Sequence, residues 1–236
     1  MLLIGAGGLG CATALGLGAA GVGRIGVVDD DVVDESNLHR QVLHRDHRIG
    51  QRKTASLGAE LAERFPDLVV VAHEGRFTPA NAARLLDGYD VLVDGSDNLT
   101  TKFLANDAAV LAGKPLVHAA AVGTVGQLLS VPAGGRPCYR CLFEELPPPD
   151  ADAPSCAEAG VLGPVPGVLG ALQAAEAVRF LRGQAPAFAG QLLQYDAVAF
   201  TLRAAKFGRN ATCRVCGTAP SIRALEPGAY AAEACA

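Results

Sequence analysis

Short apolar runs alternating with helical stretches predict an α/β fold: a mostly parallel sheet flanked by helices, with an antiparallel extension toward the C-terminus. Three observations carry this expectation. The apolar run 2–4 leads straight into a glycine-rich turn, GAGGLG at 5–10. Strand-like and helix-like segments then alternate as far as His118, the pattern of a parallel sheet with crossover helices. Beyond Ala121 the alternation gives way to shorter strand signals with hairpin spacing.

Taken in order, 2–4 reads as a first strand and 8–20, rich in Ala, Leu and Gly, as a helix. The run 25–28 is a second buried strand ending at Asp29. Residues 52–65 have helical spacing, with Leu57, Leu61 and Ala62 on one face and Glu60, Glu63 and Arg64 on another. Strands follow at 68–72 and 90–93, helices at 80–86 and 99–111, and a strand at 115–118. In the second half, 127–131 reads as a strand and 191–195 with 198–202 as a hairpin. The proline-rich segment 144–166 reads as a long exposed loop, and such loops are commonly functional. The helix at 167–181 is apolar nearly all round, which implies burial or a subunit interface. The segment 218–236 has no strong periodicity and reads as a loose tail.

Composition narrows the function. A chain of 236 residues is long enough for one domain with a substantial core. A net charge of −4 argues against a nucleic-acid partner, which would call for a basic face. The apolar start has no charge before Arg24 and is rich in glycine, which suits neither a signal peptide nor a spanning helix. The expected location is therefore the cytoplasm, with no membrane partner. An odd count of seven cysteines without an export signal argues against a disulfide framework.

The chemistry-bearing residues fall at the C-terminal ends of the predicted strands, where ligands bind in open α/β sheets. The G-x-G-x-x-G of Gly5, Gly7 and Gly10 puts backbone N–H groups at a helix N-terminus, with Gly8 at its start, and this favours an anion. The bland reading is a tight turn without a ligand. Asp29 is placed to accept from ribose hydroxyls; Asp31 either holds the loop or caps a turn. Ser36, Asn37, Arg40 and Gln41, then Lys53, add polar and cationic groups suited to a polyphosphate. A dinucleotide-binding oxidoreductase would have no need of them. Asp97, in S-D-N, is a candidate Mg²⁺ ligand or a cap for the following helix; Ser96 and Asn98 are equally good caps, and Asn98 is also a candidate nucleotide-binding residue beside Asp97. Two C-x-x-C pairs, Cys138 with Cys141 and Cys213 with Cys216, match a structural zinc site of four cysteines; a redox pair is the alternative, and the presence of two pairs favours zinc. Cys156, in the long loop, is a candidate nucleophile or an incidental thiol. Cys11 is expected to pack in the first helix.

Together these residues resemble the ThiF/MoeB/HesA family of sulfur-carrier adenylyltransferases, relatives of ubiquitin-activating enzymes. The likeness runs from Leu2 to Gly217. It rests on GAGGLG, the D-x-D of Asp29 and Asp31, S-N-L-H-R-Q at 36–41 and G-Q-R-K ending at Lys53. It continues through S-D-N at 96–98, P-C-Y-R-C at 137–141, C-A-E-A-G at 156–160 and C-R-V-C-G at 213–217. The resemblance implies a Rossmann-like adenylation domain over 1–217, with a nucleotide-binding half over about 1–120 and a carrier-binding and zinc half over about 121–217.

It also implies a reaction. The C-terminal glycine carboxylate of a small ubiquitin-like sulfur carrier ending in Gly-Gly attacks the α-phosphorus of ATP·Mg²⁺, in thiamine or molybdenum-cofactor synthesis. Gly8, Asp29, Asn37, Arg40 and Lys53 would bind ATP, and Asp97 would bind ATP and Mg²⁺. Cys156 aligns with a loop cysteine that in some members forms a thioester or acyl-disulfide. Homodimerisation and a cysteine desulfurase or rhodanese-type sulfur donor belong to the same expectation. Members usually carry a further N-terminal helix whose arginine reaches the phosphates of the opposite subunit, so the chain as given is expected to bind ATP but adenylate slowly. The runners-up are an NAD-dependent oxidoreductase and a catalytically weak carrier-binding module.

Overall fold

The computed structural model describes residues 1–147 and 160–230. Eight strands form one sheet in the order β3-β2-β1-β4-β5-β6-β7-β8. The strands β1 (Leu2–Ile4), β2 (Arg24–Asp29), β3 (Val69–Glu74), β4 (Leu92–Asp94) and β5 (Leu116–Val122) run parallel to their neighbours within this half. Then β6 (Val125–Val131), β7 (Gln191–Asp196) and β8 (Thr201–Lys206) extend it antiparallel.

The inner parallel strands β1, β2 and β4 are apolar between their ends because both faces of the sheet are covered there. Alternate side chains of one strand enter different cores: Leu3 joins one, Leu2 and Ile4 the other. Helices α1 (Gly8–Ala19), α2 (Lys53–Arg64) and α5 (Pro164–Leu181) line the first face through Leu9, Leu17, Leu57, Leu61 and Leu169. Helices α3 (Pro79–Asp87) and α4 (Leu99–Leu111) line the second through Leu85, Leu86, Phe103 and Leu104. Close approach of α1 and α5 explains the small residues: a Cβ on Gly170 would meet Cβ of Ala12 at 2.6 Å.

From β1 the chain moves outward to β2 and β3, then returns to place β4 on the other side of β1. The order therefore reverses between β1 and β4, the place where such sheets open a crevice. In register, Ile4 lies opposite both Val28 and Asp94, so the glycine turn, Asp29 and the S-D-N loop leave the sheet side by side.

Three segments differ from the sequence reading. The last strand starts at Thr201, not Val198, because Oδ1 of Asp196 accepts from the N–H groups of Val198 and Ala199 at 2.9 and 3.0 Å and closes a turn there. Helix α5 begins at Pro164, with Pro at its first position where no N–H is needed. In the segment read as a loose tail, Tyr230 is buried and its hydroxyl donates to Oδ2 of Asp107 at 2.6 Å, while Ile222 and Leu225 pack on the second core. Cys156 and Cys235 lie outside the described residues.

Candidate nucleotide crevice and metal centre

The glycine turn at the β1 exit is tight: a Cβ on Gly10 would fall 1.9 Å from the Gly5 carbonyl oxygen. Asp29, ending β2, turns its carboxylate into this turn. Its Oδ2 accepts from Ala6 N–H at 2.7 Å and its Oδ1 from Asp31 N–H at 2.8 Å. The expected ribose acceptor thus also braces the turn and the start of the next loop.

That loop carries S-N-L-H-R-Q across the beginning of α1. Asp34 caps a short 3-10 turn, Glu35–Asn37, accepting from Ser36 N–H at 2.8 Å and Ser36 Oγ–H at 2.5 Å. The Ser36 hydroxyl is therefore engaged in shaping the loop. Asn37 Oδ1 accepts from the Arg40 guanidinium, which also reaches the Ser36 carbonyl at 3.5 Å. Arg40 is preset by its own loop, and its carbonyl lies 3.3 Å from where a Cβ on Gly8 would stand. Gln41 is buried, its Nε2 3.7 Å from a Cβ built on Gly7, and its Oε1 has no partner among the described residues. An orphaned buried acceptor beside the turn suits a site completed by a ligand.

Lys53, the first residue of α2, is buried and its Nζ lies 2.7 Å from Oδ2 of exposed Asp31. Asp31 therefore neutralises the second expected phosphate cation. After β4, Asn98 caps α4, accepting from Thr101 N–H at 2.8 Å, while Asp97 is exposed on the same loop.

Sequence reasoning missed the buried network beneath this loop. Asp94 is fully buried; its Oδ1 accepts from Ser96 N–H at 2.9 Å and Ser96 Oγ–H at 2.5 Å. Its Oδ2 lies 3.0 Å from Lys102 Nζ and 2.8 Å from His118 Nδ1. Burial works to raise this carboxyl's pKa, but Lys102, His118 and Ser96 overcome it and hold it well below the usual range. The D-G-S-D-N motif held the signal, since its first aspartate ends a strand buried on both faces. His44 was missed too, and it had no motif of its own.

Against the second core, Cys138, Cys141, Cys213 and Cys216 bring four Sγ atoms within 4.8 Å of one another. Neighbouring sulfurs stand 3.4 to 4.0 Å apart. Four thiolates at about 2.3 Å around one tetrahedral ion would be about 3.8 Å apart, so the donor set fits zinc. The Cys138 and Cys213 sulfurs stand 3.6 Å apart, and their interaction pushes Cys138 up and holds Cys213 down. The cluster is tied to α4: Asn106 Oδ1 accepts from Tyr139 N–H at 2.9 Å, and Arg140 grips buried Asp107 at 2.8 Å. Among the described residues, no histidine or carboxylate joins the four cysteines.

A mostly parallel sheet with a glycine turn and a strand-ending aspartate at its switch point defines a Rossmann-like α/β protein. Within that class the chain belongs to the ThiF family, whose model matches residues 1–215. It is 46% identical over 230 residues to a "Sulfur carrier protein adenylyltransferase" of Thermus thermophilus, covering 95% of this chain and 84% of the relative. It is 43% identical over 226 residues to the "Adenylyltransferase and sulfurtransferase MOCS3" of Aedes aegypti, covering 95% of this chain and 52% of that protein. The MOCS3 protein of Sus scrofa is similar at 44%, and the chain spans 50% of it. The chain thus spans about half the length of these MOCS3 relatives. Among solved structures, E. coli MccB with MccA-N7isoASN has the same fold, with a TM-score of 0.80 and 23% identity, covering 92% of this chain and 66% of that one. No helix among the described residues is long and apolar enough to cross a membrane.

Proposed function

We propose that the chain adenylylates the C-terminal glycine of a small ubiquitin-like sulfur carrier, using ATP and Mg²⁺ and releasing pyrophosphate. One set of contacts carries the reading: Asp29 accepts from Ala6 of the glycine turn, the Arg40 carbonyl and the Gln41 side chain lie against the same turn, and Gln41 Oε1 has no partner among the described residues. The names of the similar proteins from Thermus thermophilus and Aedes aegypti support the same reaction class. A carboxylate oxygen of the carrier attacks the α-phosphorus, the bond to the bridging oxygen breaks, and pyrophosphate leaves with the electron pair. Such a step calls for positioning and charge neutralisation more than covalent help from the protein.

In this reading Gly8 and the turn hold phosphate, Asp29 holds ribose, and Asn37, Arg40 and Gln41 face the polyphosphate. Lys53 reaches it when Asp31 yields. Asp97 is the residue of the S-D-N loop for Mg²⁺, which would supply charge neutralisation on the phosphates; Asn98 serves the loop as its cap. Zinc occupies the four cysteines. Cys156 remains the candidate for a covalent carrier adduct. Thiazole and molybdopterin synthesis are both compatible carrier pathways. The partner set comprises a second copy of this chain and a cysteine desulfurase or rhodanese-type donor.

ATP–pyrophosphate exchange, with and without a carrier ending in Gly-Gly, tests the proposal. Carrier-dependent exchange is expected. NADH binding without exchange would replace this reading with an oxidoreductase, and carrier binding without exchange would leave a binding module.

A further inference from the structure

Ala6 is held from both sides. Its N–H donates to Oδ2 of Asp29 at 2.7 Å. Its carbonyl oxygen lies 2.9 Å from Nε2 of His44 and 3.4 Å from Sγ of Cys11. His44 is 5% exposed, and its other nitrogen, Nδ1, lies 2.9 Å from the Ser56 hydroxyl on α2. A carbonyl can only accept, so Nε2 carries the proton and Nδ1 accepts from Ser56. The network thus fixes one tautomer of a neutral ring.

Charges around the ring act on that state from several elements. Burial first, then Lys53 of α2 and Arg48 of the preceding loop, keep His44 neutral, against Asp29 of β2 and the bond to Ala6. Burial likewise pushes the Cys11 thiol of α1 up to about 12, so it stays protonated and able to donate to the same carbonyl.

Peptide planarity gives this contact a consequence. The carbonyl of Ala6 and the N–H of Gly7 belong to one trans peptide unit and point in opposite directions. With the carbonyl turned inward onto His44, the Gly7 N–H is turned outward from the same plane. Gly7 caps α1, so this N–H adds to the free donors at that helix N-terminus. Gln41, three positions before His44 on the same loop, brings its side chain to Gly7 and leaves Oε1 buried without a partner among the described residues.

We infer that His44 is the positioning residue of the glycine turn: by holding the Ala6 carbonyl it aims the Gly7 N–H at the phosphate of a bound nucleotide. The inference rests on the nucleotide reading of the crevice. His44 touches no reacting atom and acts through the orientation of one peptide group. Ser56 extends the same device to α2, the helix that carries Lys53, so the turn and the buried lysine are set relative to one another through one ring.

Calorimetric binding of inorganic pyrophosphate and of ATP to the wild-type chain, His44→Leu and His44→Gln tests this. His44→Leu should weaken both ligands about tenfold or more, the scale of one hydrogen bond to a charged group. His44→Gln, whose amide N–H can reach the same carbonyl, should recover most of that loss. Wild-type affinity in His44→Leu, or equal weakness in both variants, overturns the inference. If His44→Leu fails to fold, Ser56→Ala takes its place, read by ¹⁵N chemical shifts of the His44 ring. Weaker pyrophosphate binding with some proton moved to Nδ1 supports the role, and an unchanged tautomer with unchanged affinity overturns it. A wild-type chain that binds pyrophosphate but not ATP removes the adenylylation reading and leaves the pyrophosphate series to decide this one. Binding of neither ligand overturns both.

Discussion

Nζ of Lys53 lies 2.7 Å from Oδ2 of Asp31, and the two ends of this pair differ sharply in access: the lysine side chain is 6% exposed, the aspartate 71%. The backbone doubles the link, with Lys53 N–H donating to the Asp31 carbonyl at 3.0 Å. A solvent-facing carboxylate on a buried ammonium is a counter-ion that a more highly charged anion can displace. Asp31→Asn removes the competitor for Lys53 while keeping the loop's length and shape. Pyrophosphate should then bind several-fold tighter in calorimetry at fixed ionic strength, the salt being held because screening alters such contacts. Weaker binding in this variant would mean that Asp31 itself contributes to the ligand.

Arg40 is the cation that its own loop presets, through Asn37 Oδ1 and the Ser36 carbonyl. Its substitution should affect chemistry more than folding, since it lies partly exposed on the S-N-L-H-R-Q loop. Arg40→Ala is expected to slow ATP–pyrophosphate exchange by about 10²-fold, the scale for loss of one donor to developing charge. Arg40→Lys should not restore it, because a point charge lacks the planar fork that Asn37 orients. Thermal melting within a degree or two of wild type, alongside lost exchange, is the expected pair of results. Full exchange in Arg40→Ala would remove Arg40 from the site.

Asp94 should matter more for stability than any crevice residue. It is fully buried and joins Ser96, Lys102 and His118, so it ties the S-D-N loop to α4 and β5. Asp94→Ala strands a buried ammonium whose one other hydrogen bond among the described residues is to the Ala119 carbonyl, at 2.6 Å. Breaking a buried pair from one side costs about 3–5 kcal/mol, or roughly 10 °C in Tm for a chain of this size. Replacing both partners, Asp94→Leu with Lys102→Met, should recover part of the loss. A melting temperature unmoved by Asp94→Ala would show that the network carries no net stability.

Three histidines make stability depend on mildly acidic pH. His44, His73 and His118 all have pKa values lowered from 6.5, in each case chiefly by burial. Below about pH 6.5 the unfolded chain takes up protons that the folded chain refuses, so unfolding becomes easier as pH falls. A second loss begins near pH 4.5, because Glu60, hydrogen-bonded first by Arg45 and also by Arg64, is held down at about 2. Its stabilisation is present above 4.5 and disappears as pH falls toward 2. Urea midpoints should fall between pH 7.5 and 5.5 and more steeply below 4.5. A flat profile from 7.5 to 5 would contradict the histidine assignments.

The fold was legible where local and global signals agree. α4 matches the sequence reading at both ends, because Asn98 is a strong cap and the following helix is bounded by Gly113 and Pro115. β8 was misplaced by three residues because Val198 and Phe200 look like strand formers, whereas Asp196 turns the chain under them. Phe200 there is 86% exposed. The four cysteines were legible as a set, since spacing alone marks metal ligands. Asp31 pairing with Lys53, His44 on Ala6, and Asp94 on Lys102 were not, because each joins segments that sequence does not place in register. Local periodicity reports the face of an element, not the distance between two loops.

The cysteine cluster offers a test of how far metal reaches into the fold. Cys138, Cys213 and Cys216 are buried, and the loop bearing Cys138 and Cys141 is fastened to α4 through Asn106 and Asp107. Asp107 in turn accepts from Arg140 and from the Tyr230 hydroxyl, so the loop of Cys138 and Cys141, α4 and residues 227–230 share one buried carboxylate. Metal binding of this kind contributes folding energy, and its removal should cost on the order of several kcal/mol here. One zinc per chain by elemental analysis is the expected content, lost in Cys213→Ser. Chelation should lower Tm and speed hydrogen exchange at 138–141 and 227–230, while 5–11, on the far side of the sheet, stay protected. Equal melting with and without metal would mean that α4, Asp107 and the two cores hold this end of the molecule unaided.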